Sequence, residues 1–225
     1  RANHSIRFDC EHNQSLFCSN SFIERRKMDF NRIKLLVNTV KYLKFEQIAY
    51  RVLYALRKKF VNKEYSYEVK GTIEPLKWSN RIEKYTSYLG NNEFRFLNIT
   101  HKFHDTIDWN YDAYGKLWTY NLNYFDFLNQ SSIKQSEALM LMKDYVERTN
   151  ELKDGLEPYP TSLRCINWIK YVSKENIQDE VIDKSLYNQY LRLLDSLEYH
   201  LLGNHLLENG LSLLFGAYYF KDDIL

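Results

Sequence analysis

Gly203, Asn204 and His205 interrupt an otherwise apolar helical stretch, "SLEYHLLGNHLLENGLSLLFGAYYF" (residues 196–220), with His200 and Glu208 on either side. In a helix beginning near His205, Glu208 is its i,i+3 neighbour. Asn204 then stands at the helix start, where an amide caps well and free backbone N–H groups favour an anion. That is chemistry for receiving a substrate carboxylate. Spacing alone leaves a structural alternative open. In it Gly203 ends one helix, Asn204 caps the next, and His205 is a satisfied buried imidazole.

Two further stretches carry polar groups at useful spacings. In "PYPTSLRCINW", residues 158–168, Arg164 and Asn167 are i,i+3 neighbours and Arg164 and Trp168 are i,i+4 neighbours. One helix face could therefore offer a guanidinium, an amide and an indole. Guanidinium grips carboxylate or sulfate with two parallel bonds, and an indole covers the face of a sugar. The alternative is an Arg paired with an acid and a Trp in the core. "LWTYNLNYFDFL", residues 117–128, fits neither the helical nor the strand period cleanly. It reads as an irregular, half-buried entry into a helix, either a groove wall or a hydrophobic plug. No HExxH is present, and His200 and His205 are five positions apart and off one helical face, so no metal site is expected. GxSxG and GxxxxGK[ST] are absent, and nothing points to a cofactor.

These groups need elements to hold them. The 225 residues suffice for one domain with a real core. With only 7 Gly and 3 Pro, an all-β fold rich in tight turns is disfavoured, while 16% aromatic residues, 19 of them Tyr, suit cores and half-wet carbohydrate faces alike. No apolar run reaches the ~18 residues of a membrane span. Cys10, Cys18 and Cys165 have no metal spacing and an odd count, so they read as unpaired thiols.

The net charge of +2 is unevenly spread. From Glu24 to Lys59 there are eleven Lys/Arg against three Asp/Glu, which leaves a net of +8 there. A basic zone this local does not make a nucleic-acid-binding domain. Residues 1–27 have no period and no apolar stretch of signal-peptide type, and read as an unstructured extension. Met28 opens a new texture, that of a natural start. Residues 28–60 form a basic amphipathic helical segment with a break near Lys44–Glu46. The favoured reading is a helix packed on the domain with a solvated basic face. An anionic membrane surface is the other partner such a helix offers.

Residues 61–115 read as loops with a short hairpin about "EFRFLNIT". Beyond them the 3.6-residue period recurs: from a cap at Ser131 or Ser132 to about Leu152, from about Thr161, through 179–201, and from about Asn204 to Phe220. Short loops between consecutive helices favour antiparallel helix hairpins. The fold expected is mainly all-α.

In their order the three quoted segments resemble the N-terminal catalytic domain of heparinase II/III-type polysaccharide lyases, over roughly Phe94–Phe220. The resemblance implies an incomplete α/α toroid across residues 61–225, with a C-terminal β-sandwich that this chain does not contain. It implies β-elimination on an acidic, uronic-acid-containing polysaccharide, and a bacterial, periplasmic setting, although no signal peptide is visible. Asn204 falls where the family places the group that neutralises the uronate carboxylate, and His205 beside it could touch substrate. Arg164, Asn167, Trp168, Tyr159 and Asn121 are the matched candidates for binding acidic sugar. The family's catalytic Tyr and assisting His lie further along than this chain extends, so the chain alone is expected to be inactive. Two other readings stay open. One is a non-catalytic helical carbohydrate-binding or interaction module. The other is a toroidal hydrolase, which needs two carboxylates about 5–10 Å apart, with Glu157 and Glu208 the pair nearest the motifs.

Overall fold

The computed structural model describes residues 32–35, 37–60, 63–77 and 84–225. The expected extension 1–27, the start at Met28, Cys10 and Cys18 lie outside the described residues. The chain divides into two compact units, Arg1–Ala49 and Tyr50–Leu225. In the first, residues 32–35 and 37–40 are helical and a turn follows at 41–43. The break expected near Lys44–Glu46 is there: α1, Phe45–Phe60, starts just after it. The Lys44 N–H donates to the Gln47 side chain at 3.0 Å across that start.

The larger unit is mainly helical. Its other helices are α2 (Lys116–Asn123), α3 (Gln135–Glu147), α4 (Pro158–Lys174), α5 (Glu180–Asp195) and α6 (Gly203–Phe220). A small antiparallel meander, β1 (Tyr88–Gly90), β2 (Glu93–Phe96) and β3 (Ile99–Lys102), precedes α2. Both of its turns are two residues long, and both central residues of each have positive φ, as a twisted hairpin requires. Asn91 and Asn92 suit that backbone. Leu97, at φ 53°, does not, and its side chain is largely exposed. Leu97→Asn is expected to raise unfolding stability by about 0.5–1 kcal/mol in a urea titration. An unchanged or lower midpoint would mean that Leu97 makes a contact worth more than the strain.

Helix starts follow local chemistry more than the serine pattern. The cap expected at Ser131 or Ser132 is not used. Ser132 instead accepts from the Gln130 amide at 3.0 Å, and α3 begins later without a side-chain cap. Gln130 is committed to the sheet, accepting from the N–H groups of Ser87 and Tyr88 and donating to the Tyr88 carbonyl. Pro158 opens α4, where its missing N–H costs nothing, and Asp179 caps α5 by accepting from Val181 and Ile182.

Contacts give the helix directions. Tyr219 and Phe220, at the end of α6, meet Asp183 and Tyr187 near the start of α5. A Cβ on Gly216 would sit 2.9 Å from the Tyr190 ring, so these helices approach closely there. Arg164, early in α4, bonds Gln189, late in α5. Thus α5 runs antiparallel to both neighbours. Ser162 meets Asn209 and Ser212, and Lys170 lies over Phe215, so α4 and α6 run parallel.

The core is aromatic. Trp109 stacks on Phe125 at 5.0 Å, and Tyr145 and Trp168 meet Phe125 edge-on. Segment 117–128 is a helix that gives way to a 3₁₀ turn, rather than an irregular entry to one. Trp118, Leu122, Phe125, Phe127 and Leu128 from it are wholly buried, so most of it is plug.

The larger unit also includes the C-terminal part of α1. Tyr50 stacks on Tyr199, Tyr54 packs edge-on to His200 and donates to the Leu197 carbonyl, and Arg57 pairs with Asp195. Asp195 also receives Lys63 and Tyr65. Its burial works against ionisation, but these three donors outweigh that and hold the carboxyl below the ordinary aspartate value. A carboxyl lowered by folding contributes stability above the unfolded pKa near 3.8 and loses it as pH falls through the folded value. The stability gap between wild type and Asp195→Asn should therefore be full at pH 6 and close in acid below about pH 3.8. A gap independent of pH in urea titrations would contradict this.

Candidate functional site

The Arg-x-x-Asn-Trp face exists as expected, but it points inward. Arg164 is wholly buried. Its Nε donates to Gln189 at 2.6 Å, one terminal nitrogen donates to the Asn123 and Gly155 carbonyls at 3.2 and 2.8 Å, and the other reaches Thr161 at 3.2 Å. The guanidinium lies 4.8 Å from the Tyr145 ring centre. No carboxylate faces it among the described ion pairs. A sugar carboxylate or sulfate has neither a path to this group nor spare donors in the required fork. Trp168 is likewise wholly buried against Phe125 and Tyr145, so it covers no sugar. Asn167 donates to the Tyr124 carbonyl at 2.9 Å and accepts from the Asn129 amide at 3.2 Å. Arg164, Asn167 and Trp168 are therefore positioning residues, a correction to their expected role at the substrate. Together they fix the chain reversal at Asn123–Asn129, where Phe125 takes φ 55°.

What they position is a row of polar aromatic groups. Tyr120, on α2, and Tyr124, its C-cap residue, sit one turn apart. Tyr120 donates to Glu157 at 3.1 Å, and Glu157 also accepts from the Gly155 N–H at 2.7 Å. Gly155 has φ +89°, and a Cβ there would meet Asn123 at 2.6 Å, so this loop needs glycine. The Tyr124 ring lies 6.3 Å from Tyr159, and Tyr159 lies 4.5 Å from the His205 ring. Burial, followed by the neighbouring Tyr159, Tyr120 and Glu157, pushes the Tyr124 phenol up to about 12. It stays protonated at neutral pH. Asn121 is not part of this row. Its amide donates to the Leu117 carbonyl one turn back on its own helix.

At the far end of the row His205 is held from behind. Its Nδ1 is 3.2 Å from Glu198 Oε2, and the Glu198 side chain is only 7% exposed against 45% for His205. Asn209 secures Glu198 twice. Its amide donates to Glu198 at 3.3 Å, and its carbonyl oxygen accepts from the Glu198 N–H at 2.9 Å. A carboxylate on Nδ1 makes that nitrogen the donor toward Glu198 and orients the ring. The arrangement is a general acid–base pair in form, with the imidazole reachable and its orienting acid buried.

Asn204 is exposed in the first turn of α6, and its side chain makes no hydrogen bond among the described residues. The cap position is Leu202, at φ 61°, ψ −163°, a backbone conformation that ordinary side chains rarely adopt. The Leu201 and Leu202 N–H groups both reach the Glu198 carbonyl. Gly203 thus opens α6 instead of ending α5, which stops at Asp195. His205 is half-exposed, not a buried satisfied ring. Leu202, not Asn204, holds the cap position, so all three parts of the structural alternative are corrected.

No family model, curated protein or solved structure matches the chain.

The three sequence segments nonetheless meet. Arg164 and Asn167 bind the reversal that follows α2, and Ser162 accepts from Asn209 while its carbonyl receives the Ser212 hydroxyl. Sequence reasoning missed Glu198, Asn209 and Ser162. Asn209 and Ser212, polar residues on the buried side of an apolar helix, were the signal available for two of these contacts. The acid bonded to His205 is Glu198, not its i,i+3 neighbour Glu208. Among the described residues no group of three His, Cys, Asp or Glu side chains could hold a metal ion. Cys165 is buried, which pushes its thiol up to about 12, outside the range of a resting nucleophile.

Proposed function

We propose that this chain is the helical part of a lyase that cleaves an acidic, uronic-acid-containing polysaccharide by β-elimination. Asn204 receives the uronate carboxylate, and His205 and Tyr159 contact the sugar. The observation that carries the reading is the His205–Glu198 pair, set beside an unengaged Asn204 at a helix N-terminus and next to a row of tyrosines.

The reaction sets the requirements. The C5 proton of a uronate is weakly acidic until its carboxylate is neutralised, since deprotonation moves negative charge onto the carboxyl oxygens. An amide and the free N–H groups of a first helical turn stabilise that charge most where it develops. The C5 electron pair then forms the C4–C5 double bond, and the C4 oxygen leaves with a proton. His205, oriented by Glu198, bonds the substrate from the open side. Tyr124 offers a protonated hydroxyl, and Tyr120, its own hydroxyl held by Glu157, offers a ring face along the approach. The base that takes the C5 proton is not assigned to any of these residues. Arg164, Asn167 and Trp168 act at one remove, by fixing the loop and helix ends that carry the row.

Parallel α4 and α6 packed directly on each other, with α5 antiparallel to both, form the helix-hairpin arrangement expected of an α/α toroid. This supports the incomplete toroid as the larger architecture.

The test is to offer the full-length protein that carries this chain a panel of uronic-acid polysaccharides and record ultraviolet absorbance of an unsaturated uronate product. Growth of that absorbance on one substrate is the expected result. New reducing ends without absorbance would mean hydrolysis. Saturable binding without any cleavage would mean a carbohydrate-binding module. Either outcome overturns the lyase reading.

A further inference from the structure

Helix α1 is mounted the wrong way round for a helix that only packs on its own domain. Phe45, Ala49, Val52, Leu53 and Leu56 recur at helical spacing and share one face. All five are exposed, with Phe45 at 83% and Val52, Leu53 and Leu56 each above 50%. The opposite face makes the domain contacts, through Tyr50 on Tyr199, Tyr54 on Leu197 and His200, and Arg57 on Asp195. A helix with so clear an apolar stripe normally turns it inward. Here the polar and aromatic side is fastened down, and the fastening holds the apolar side outward.

Charge identifies what the open face fits. Residues 24–59 carry a net of +8. Lys44 and Arg51 are exposed beside the stripe on α1. The helical residues of the smaller unit repeat the composition, with Ile33, Val37 and Val40 exposed on one face and Arg32, Lys34 and Lys41 exposed around them. Apolar side chains with cations at their margins match the boundary between acyl chains and anionic headgroups, where long basic side chains reach outward to the phosphates. No helix among the described residues is long and apolar enough to cross a membrane, so the contact is one of lying on the surface. We infer that the α1 stripe docks the protein on an anionic bilayer surface. This stands independently of the lyase reading.

The test is co-sedimentation of the purified chain with vesicles of phosphatidylcholine alone or mixed with phosphatidylglycerol. The chain should pellet with the mixed vesicles, less so as salt rises, and stay in solution with neutral ones. Leu53→Glu with Leu56→Glu should weaken binding roughly tenfold or more, because both side chains leave the acyl boundary. Lys44→Glu with Arg51→Glu should also weaken it and flatten the salt dependence. The apolar positions are already exposed, so the urea midpoint should not move. As a readout that needs no disruptive change, Val52→Trp should shift its added fluorescence to the blue on mixed vesicles. Equal binding to neutral vesicles, or full binding by the double-glutamate variant, would overturn the proposal. So would a concentration-dependent dimer abolished by that variant, which would assign the face to a second copy. Binding to an acidic polysaccharide that needs the cations but not the leucines, with no vesicle binding, would overturn it too.

Discussion

Arg164→Ala is expected to destabilise the chain by about 3–5 kcal/mol. The substitution strips donors from the carbonyls of Asn123 and Gly155 and from the Gln189 side chain, all in a place water does not reach. Each buried acceptor left without a partner costs about 1–3 kcal/mol. The cavity left by the guanidinium and its stem adds to this, and release of a buried charge offsets part of the sum. Arg164→Lys should recover only a fraction, since an ammonium is a point donor and cannot span three acceptors in a plane. The measurement is a urea titration of all three proteins, combined with polysaccharide affinity at a temperature where each stays folded. A structural Arg164 predicts a large midpoint shift for both variants and nearly normal affinity in the folded fraction. An unchanged midpoint with affinity lost would return Arg164 to the binding surface and undo the positioning role argued from its burial.

Arg164 also shows where sequence stops being informative. Its spacing to Asn167 and Trp168 correctly put three groups on one helix face. Spacing cannot say whether that face looks out or in, because the answer depends on Tyr145, Phe125 and Asn123, which come from other elements. An arginine with no acid partner is unusual inside a protein, and this one is stabilised by carbonyls and a ring, which no local pattern encodes. The helices themselves were legible because burial repeats every 3.6 residues along them. Asn91–Asn92 was legible as a turn because asparagine tolerates positive φ. The hairpin about residues 93–100 was expected although Leu97 in its turn disfavours that backbone, whereas Leu202, before α6, gave no turn signal because its side chain disfavours the backbone it adopts. The Glu198–His205 contact was hidden for the same reason. Seven positions along one continuous helix would set the two about 10 Å apart, and only the reversal through Leu202 brings them together. On α1 the pattern gave the amphipathic face, and only the tyrosine contacts on its other side showed that the apolar half is the one left open.

Asn204→Ala should lower the rate of eliminative cleavage by about 10²–10³, or roughly 3–4 kcal/mol of transition-state stabilisation. This rests on the proposed lyase activity and is measured on the full-length protein with its uronic-acid polysaccharide, by absorbance of the unsaturated product. The magnitude follows from timing. In the ground state the uronate carboxylate is already solvated, and one amide more or less changes affinity little. As C5 loses its proton, charge grows on those oxygens, and a donor already in place stabilises it without rearrangement. The loss should therefore fall on kcat, with KM nearly unchanged, because the tyrosine row and His205 supply ground-state binding. His205→Ala should behave differently, raising KM as well, since its ring packs beside Tyr159 and, on this proposal, bonds substrate before reaction. The Asn204 side chain makes no hydrogen bond among the described residues and is exposed, so its removal should leave the urea midpoint in place. An unchanged rate for Asn204→Ala would reduce this residue to an ordinary first-turn amide. A loss of rate that tracked a loss of stability would instead make its role structural.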